Sequence, residues 1–162
     1  MAPQMDLLKS IPYFSGLKPA ELASISGLIF EKRYDQGEIL LLESEAADAL
    51  YFVAFGIVKV FKTSADGKEL ILKIVRPGES FNDVPMFDGG LNLASAQAMR
   101  PVVLYGMTKR DLEDVIHRKS QVALNAIKVM ADGLRHLVSL IEDLSFRDVT
   151  GRVAKILLEY TG

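Results

Sequence analysis

A glycine-rich run in the middle of the sequence carries acidic, amide and hydroxyl side chains that could hold a polar ligand. This ligand loop, GESFNDVPMFDGGLNLASAQA, covers residues 78–98. Glycine permits tight turns around a ligand, and a carboxylate such as Asp83 accepts hydrogen bonds from ligand hydroxyls. The loop contains no lysine or arginine, although a buried anion needs a charged or hydrogen-bonding partner. The pattern predicts a ligand site that lacks a counter-charge of its own.

The same run can also be a turn that binds nothing. Its glycines would then serve backbone positions with positive φ: Gly78, Gly89 and Gly90. Pro85 would begin a short helix, while Met86 and Phe87 would fill the core. Alternatively the cavity is kept and takes a less anionic ligand, since its polar side chains would be Asn82, Asp83, Asn92, Ser95 and Gln97.

Composition excludes several classes of function. The chain has 162 residues, 49% of them hydrophobic, which suits one compact domain with an appendage. A formal charge of −2 argues against a stand-alone nucleic-acid binder. Because there is no cysteine, the chain holds no disulfide, thiolate zinc site or cysteine-ligated iron–sulfur cluster. The N-terminal MAPQMDLLKS resembles neither a signal peptide nor a membrane helix, so we expect a cytoplasmic protein without membrane contact.

Helical spacing at the start of the chain gives way to short strands. Two short helices are expected between Met5 and Ser26, with Pro19 at a helix start. From Ile29 to Lys109, six segments rich in β-branched and aromatic residues are separated by turn signals: EILLLES, ALYFVAFG, IVKVFKT, ELILKIV, ASAQA and VVLYGMT. The Asp66-Gly67 pair predicts a hairpin. Short strands at this spacing predict a sandwich or barrel, and the whole chain is of the α+β class.

A long amphipathic helix is predicted from residue 119 to residue 145. Apolar side chains recur every three or four positions and form a heptad seam: Ala123, Ile127, Met130, Leu134, Leu137, Ile141 and Leu144. Four further residues widen the apolar stripe: Val122, Ala126, Val129 and Val138. We expect one face to pack on the β domain and the seam to pack on the same helix of a second copy.

The last segment, residues 146–162, is predicted to be a separate amphipathic helix. Ser145 is a plausible N-cap, and Val153, Ile156 and Leu157 share one face. Such a helix needs something to pack on, so we expect it to be the first helix of a further domain. The predicted boundaries are therefore 1–118 for the β domain with its flanking helices, 119–145 for the dimerisation helix and 146–162 for this last helix.

Several ordered motifs together resemble a known family. The motifs are SEAADALYFVAFGIVKVF with its turn at Gly56, VRPGESFND, DGGLNLASAQA and LSFRDVTGRVAKILL. They resemble the family of the cyclic-AMP receptor protein and the fumarate-nitrate reduction regulator, the Crp/Fnr family of bacterial transcription regulators. The resemblance implies a cyclic-nucleotide-binding-like β-roll, a double-stranded β-helix of jelly-roll type, that senses an effector. It also implies a long helix that forms a homodimer, and DNA binding through a C-terminal domain beyond Gly162.

The resemblance also implies which residues form the pocket. In relatives that bind cyclic nucleotides, an acidic side chain binds the ribose, and an arginine followed by a serine holds the phosphate. Asp83 stands at the acidic position, Asn92 or Leu93 at the arginine, and Leu93 or Ala94 at the serine. Losing a charged partner of a buried charge costs roughly 3–5 kcal/mol. The adenine-reading hydroxyls of the long helix correspond to Leu137 and Val138. We therefore expect the effector to be something other than cyclic AMP.

The predicted site residues fall into two groups. The degenerate pocket is assigned to Gly78, Glu79, Phe81, Asn82, Asp83, Asn92, Leu93 and Ser95. The dimer interface is assigned to Ile127, Met130, Leu134, Leu137, Ile141 and Leu144.

Three other functions are compatible with parts of the sequence or have to be excluded. A haem-dependent gas sensor of the same family would need His117 or His136 as the iron ligand, and both look like surface histidines. A ligand-free dimerisation scaffold would keep the β-roll and sense nothing. An enzyme is not expected, because the acidic clusters lie on exposed helical turns and no P-loop, nucleophile elbow or paired-histidine motif occurs.

Overall fold

The computed structural model describes residues 3–161, with the side chains of 147–152, 155, 160 and 161 left aside. It begins with helix α1 (Met5–Ser10), a 3-10 turn (Pro12–Phe14) and helix α2 (Pro19–Ser26). Pro19 is the first residue of α2, as the sequence predicts. The two short N-terminal helices are thus confirmed, with the 3-10 turn between them.

Eight strands follow and form two four-stranded antiparallel sheets. The strands are β1 (Phe30–Tyr34), β2 (Ile39–Leu41), β3 (Ala49–Phe55), β4 (Val58–Thr63), β5 (Glu69–Val75), β6 (Ser80–Phe81), β7 (Ser95–Ala98) and β8 (Val102–Thr108). One sheet has the order β1-β8-β3-β6, and the other has the order β2-β7-β4-β5. The predicted jelly-roll class is confirmed, and so is the β4–β5 hairpin, whose turn has Gly67 at φ 86°.

Two strands were not predicted from the sequence. β1 has the sequence FEKRY, in which three charged or polar positions interrupt the apolar alternation, and it pairs only with β8 at the edge of its sheet. β6 has two residues, which is too short for any periodicity to appear. Both strands lie at sheet edges, where one free side lowers the demand for apolar residues.

Two apolar clusters hold the β domain together. The first lies between the sheets and includes Tyr51, Val53, Val58, Val75 and Phe81. The second packs the helices against β3 and β8, and its largest members are fully buried: Leu8, Ile11, Tyr13, Phe14, Leu50, Phe52, Met86, Met107 and Leu112. Alternate residues of β3 therefore serve opposite clusters, as the two-residue period of a strand requires.

Gly56 is required by the close approach of two strands. It joins β3 to β4 with φ at 91°, and a Cβ atom there would lie 2.4 Å from the carbonyl oxygen of Pro101. No side chain fits at that distance, so any substitution would have to move the β8 end of the sheet.

The C-terminal part is helical. Helix α4 spans Lys109–Arg118 and helix α5 spans Ser120–Thr161. The prediction that Ser145 caps a new helix is wrong, because α5 continues through Ser145. The sequence has no proline after Pro101, so nothing in it forces a helix to stop there. Whether a domain boundary falls at residue 146 stays a prediction.

The chain divides into two compact units, Met1–Met130 and Ala131–Gly162. In the first unit, Val122 and Ala126 of α5 are buried in the helix-side cluster and Val129 packs against it. In the second unit, most of the described apolar side chains of α5 are exposed, including Leu134, Leu137 and Val138. The apolar stripe is therefore buried at Val122 and Ala126 and exposed at Val138.

Candidate functional site

The ligand loop begins in a turn fixed to β3. Gly78, at φ 89°, donates its N–H to the carbonyl of Val53 at 2.9 Å, and the N–H of Val53 donates to the carbonyl of Glu79 at 3.0 Å. Pro77 precedes the glycine. A Pro-Gly pair is typical of a type II turn, which needs a residue with positive φ at its third position. The turn therefore places the next residues at the edge of the first sheet.

Asp83 lies at the centre of a part-buried hydrogen-bond cluster. Its Oδ2 atom accepts hydrogen bonds from the Tyr13 hydroxyl at 2.7 Å and the Ser80 hydroxyl at 2.6 Å. Burial first and the Asp83 carboxylate second raise the pKa of Tyr13, so the phenol remains a donor. The side chain predicted to bind a ribose is thus already bonded to the protein through one of its two oxygens.

The neighbouring loop residues are also held by the protein. Asn82 has a left-handed backbone with φ at 65° and donates its side-chain amide to the carbonyl of Ala49 at 3.1 Å. Phe81 is buried, and its ring stacks on Tyr51 with centroids 5.6 Å apart. A left-handed asparagine costs little compared with other side chains, which explains why this position tolerates a non-glycine residue.

Helix α3 (Val84–Asp88) follows Asp83 and ends at Gly89, which has φ at 72°. Pro85 lies in its first turn and Met86 is buried, as predicted. Phe87 was expected in the core but is 44% exposed. Gly90 was expected to have positive φ and does not, since the helix needs only one left-handed residue at its end.

The second half of the loop is anchored to the segment that joins β2 to β3. The backbone N–H of Asn92 donates to Glu45, its carbonyl accepts from Ser44, and its side-chain amide donates to the carbonyl of Leu42 at 3.0 Å. The Ser95 hydroxyl accepts from the N–H of Glu43 at 3.0 Å. Asn92 and Ser95 therefore hold the loop against the 42–45 segment.

Neither position proposed for the phosphate-binding arginine carries a cation. Asn92 is buried, and its Oδ1 accepts no hydrogen bond from the described residues. Leu93 is 57% exposed and Ala94 is buried. Of the predicted pocket residues, Asn92 and Ser95 contact the 42–45 segment, and Asp83 contacts Tyr13. Asp83 also contacts Ser80, which was not predicted to be a pocket residue.

Sequence reasoning missed a cation that contacts the loop. Lys73, in strand β5, donates from Nζ to the carbonyl oxygen of Ser80 at 3.1 Å. Its ammonium also lies 3.9 Å from the Glu79 carboxylate. The signal was available in ELILKIV, where Lys73 stands two residues before Val75 and so shares its face.

A buried connection joins the ligand loop to the start of α5. The carbonyl oxygens of Tyr13 and Ser15 each accept a hydrogen bond of 2.9 Å from the side-chain amide of Asn125. The Asn125 oxygen accepts from Gln121 at 3.0 Å, one helical turn earlier. Since the Tyr13 hydroxyl also binds Asp83, the 3-10 turn contacts both the loop and the helix. Nothing in the sequence pattern announces these contacts.

The predicted dimer seam is apolar and open. Ile127, Leu134 and Ile141 are 63–65% exposed, Leu137 and Leu144 are 42% and 44% exposed, and Met130 is half-buried. An exposed row of this kind is typical of a helix that packs on another chain.

The alternative sites were a histidine-bound metal or haem and a surface groove. His117 and His136 are exposed, and among residues 3–161 no group of three or more side chains could hold a metal ion. A groove of about 440 Å³ includes Arg33, Tyr34 and Phe55 in its lining, and none of its lining residues belongs to the ligand loop. In the same part of the chain, no helix combines the length and apolar character needed to cross a membrane.

Comparisons with known proteins agree with this architecture. The family model of the cyclic nucleotide-binding domain matches residues 31–119. The chain is 33% identical over 152 residues to a cyclic AMP receptor protein of Thermus thermophilus, covering 94% of this chain and 70% of the relative. It is 30% identical over 154 residues to a CRP-like cAMP-activated global transcriptional regulator of Mycobacterium tuberculosis, covering 95% and 69%.

A solved structure supports the same likeness. The catabolite activator protein of Thermus thermophilus superposes with a TM-score of 0.75 at 32% identity. The match covers 83% of this chain and 63% of that structure. The chain thus spans about two thirds of the proteins it matches.

Proposed function

The chain belongs to the cyclic nucleotide-binding domain family, as an N-terminal sensor domain of the Crp/Fnr kind, and we propose that it senses an effector other than cyclic AMP and dimerises for a transcription regulator. Such a regulator acts in the cytoplasm and contacts DNA through a separate C-terminal domain. The observation that carries the proposal is the absence of a cation and hydroxyl at Asn92, Leu93 and Ala94, where the resemblance places the phosphate grip.

The occupied carboxylate of Asp83 supports the same conclusion. Its Oδ2 already accepts two short hydrogen bonds from Tyr13 and Ser80, so a ribose hydroxyl would compete with both. Asp83 is also one methylene shorter than the glutamate of the relatives. A cyclic nucleotide would therefore meet weaker contacts at its ribose as well as at its phosphate.

Titration calorimetry with cyclic AMP tests the proposal. We expect no binding in the micromolar range for the unaltered chain, and micromolar binding would overturn it. The double substitution Leu93→Arg and Ala94→Ser restores both phosphate contacts, and the exposed Leu93 leaves space for a long side chain. We expect this variant to bind cyclic AMP at least about tenfold more tightly, which is about 1.4 kcal/mol.

A metabolite panel separates a sensor from its alternatives. A ligand that binds only the folded chain raises its melting temperature, whereas a scaffold shows no shift with any compound. Loading with haem tests the gas-sensor alternative, because a haem protein would show a Soret band. A panel without a single stabilising compound would contradict the sensing role.

Dimerisation through the seam is the second part of the proposal. An effector that binds two packings of α5 with different affinity would shift the pairing of the helices and so signal its presence. Tyr13 and Asn125 would carry the change, because the Tyr13 hydroxyl donates to Asp83 of the loop and the Tyr13 carbonyl accepts from Asn125 of α5.

Replacing Leu134 and Leu137 with lysine should convert the dimer to a monomer in sedimentation experiments, because two charges would be buried in an apolar interface. Phe146→Lys is the matched control. Phe146 is 66% exposed, as much as Leu134 at 65%, but it lies on the side of the helix opposite the seam. If the double variant remains a dimer, the seam is misassigned.

A further inference from the structure

Lys73 belongs to the inner face of strand β5, although its side chain is 40% exposed. In the antiparallel pair β4–β5, Val58 lies opposite Val75 and Val60 lies opposite Lys73. Directly opposed residues share one face of a sheet. Val58 and Val75 are fully buried in the cluster between the sheets, and Val60 packs against it. The face that carries Lys73 is therefore the inner face of the β-roll.

The Lys73 side chain bridges the two sheets at the ligand loop. Strand β5 is an edge strand of one sheet, while β6, which contains Ser80, is an edge strand of the other. The Nζ atom of Lys73 donates to the carbonyl of Ser80 at 3.1 Å. The hydroxyl of the same serine donates to Asp83, so Ser80 connects the Lys73 ammonium to the Asp83 carboxylate.

The charge of Lys73 is poorly compensated by the protein. An ammonium has three donors, and in the described residues Lys73 uses one of them on a neutral carbonyl. The nearest carboxylate oxygen, on Glu79, is 3.9 Å away, beyond hydrogen-bonding distance. Lys59 in the same hairpin lies close to both oxygens of Glu69, at 2.8 and 3.1 Å, and over the ring of Phe61. The two lysines differ in that Lys59 is hydrogen-bonded to a carboxylate, whereas Lys73 is only within ion-pair distance of one.

A lysine on the inner face of a β-roll departs from the apolar alternation of its strand, and such departures are expected where a protein binds something. We propose that Lys73 is the anion-binding group of the effector site, which takes an effector with a single oxyanion group, carboxylate or phosphate. This inference rests on the proposed sensing role. Lysine offers a point charge without the paired N–H groups of arginine, so it would hold an oxyanion without reproducing the grip of the cyclic-AMP relatives.

Two acidic side chains near Lys73 limit the charge that the site accepts. Glu79 lies close enough to compete with the oxyanion, and the negative charge of Asp83 is reduced only in part by its two hydroxyl donors. An effector with one negative charge balances Lys73, whereas a multiply charged one would be repelled. Removing the competitor by Glu79→Gln should therefore strengthen anion binding.

The test uses amide NMR spectra and melting temperatures of the chain with succinate monomethyl ester and inorganic phosphate as separate probes, at constant ionic strength and at a mildly acidic pH below the second ionisation of phosphate, so that both probes are monoanions. We expect at least one probe to shift the amides of Ser80 to Asp83 and to raise the melting temperature. Lys73→Met should weaken that binding at least tenfold, and Glu79→Gln should strengthen it several-fold. Lys59→Met, on the outer face of the same hairpin, should bind like the unaltered chain. The probe that binds identifies the carboxylate or phosphate source.

The outcomes separate this inference from the proposed function. Equal binding by the unaltered chain and Lys73→Met, or amide shifts confined to residues outside the loop, would overturn the role of Lys73 and leave the sensing role intact. Stabilisation only by uncharged compounds would do the same. If Lys73→Met fails to fold, the role of Lys73 is still tested by the amide shifts of the unaltered chain and by the expected increase in anion affinity of Glu79→Gln. No stabilisation by any compound would overturn both proposals.

Discussion

The two halves of the ligand loop are held in different ways. In residues 78–83 the side chains of Ser80, Asn82 and Asp83 all make hydrogen bonds within the β domain, and Asp83 reaches the fully buried Tyr13. In residues 91–95 the backbone and side chain of Asn92 hold the 42–45 segment, while Leu93 is exposed and makes no polar contact.

This difference shows that the backbone conformation of the loop and its ligand-binding side chains depend on different residues. The first half would keep its fold without any ligand, because its polar groups are satisfied by the protein. The second half has kept its position on the sheet but has lost the charged side chain that the resemblance places there. The loop therefore keeps its glycines and its turn although the positions proposed for the phosphate contacts carry no charge.

Replacing Asp83 with alanine should produce the largest loss of stability. The substitution leaves the hydroxyls of Tyr13 and Ser80 without an acceptor in a buried site, at about 1–3 kcal/mol for each group. We expect the free energy of unfolding to fall by about 2–4 kcal/mol in urea denaturation. The matched control is Asp114→Ala, which removes an exposed carboxylate of helix α4 and should change the free energy of unfolding by less than about 0.5 kcal/mol. Equal effects at the two positions would show that the first half is not held through Asp83.

Much of this fold can be read from the sequence, because its main signals are local. Alternation and turn residues predict β3, β4, β5 and β8, and Pro19 marks the start of α2. The strands that were missed, β1 and β6, lack alternation or are too short to show it. The continuation of α5 through Ser145 was missed because a serine fits both the interior and the start of a helix.

The candidate site is less predictable, because its contacts join residues far apart in the chain. Tyr13 and Asp83 are 70 positions apart, and Asn125 and Tyr13 are 112 apart. No local pattern links them. Lys73 could have been found from its spacing to Val75, whereas its contact with Ser80 depends on how the two sheets meet at their edges.

Tyr13→Phe should have a smaller effect than Asp83→Ala, because Asp83 keeps the Ser80 donor. Loss of one hydrogen bond to a carboxylate predicts a fall in the free energy of unfolding of about 1.5–3 kcal/mol, toward the lower end since the Asp83 side chain is part-exposed. Tyr105→Phe removes a hydroxyl that accepts a longer bond of 3.2 Å from Gln4, and it should cost about 1 kcal/mol or less.

A double-mutant cycle of Tyr13→Phe with Asn125→Ala extends this prediction to the connection with α5. If the 3-10 turn links the loop to the helix, the two losses of stability should differ from their sum by at least about 0.5 kcal/mol. Additive losses would mean that the two contacts of the turn are independent.

Asn92→Ala should have the smallest effect, and it tests the second half of the loop. The substitution removes a hydrogen bond to Leu42, worth about 0.5–1.5 kcal/mol, but it also removes the buried Oδ1 that has no donor among the described residues. Because these two terms oppose each other, we expect the free energy of unfolding to change by less than about 1 kcal/mol. Asn92→Asp is the sharper variant, since a charged oxygen at the same buried position would cost more than the alanine. A loss above about 2 kcal/mol in Asn92→Ala would contradict the contrast between the two halves. Both halves would then depend on polar side chains for their conformation.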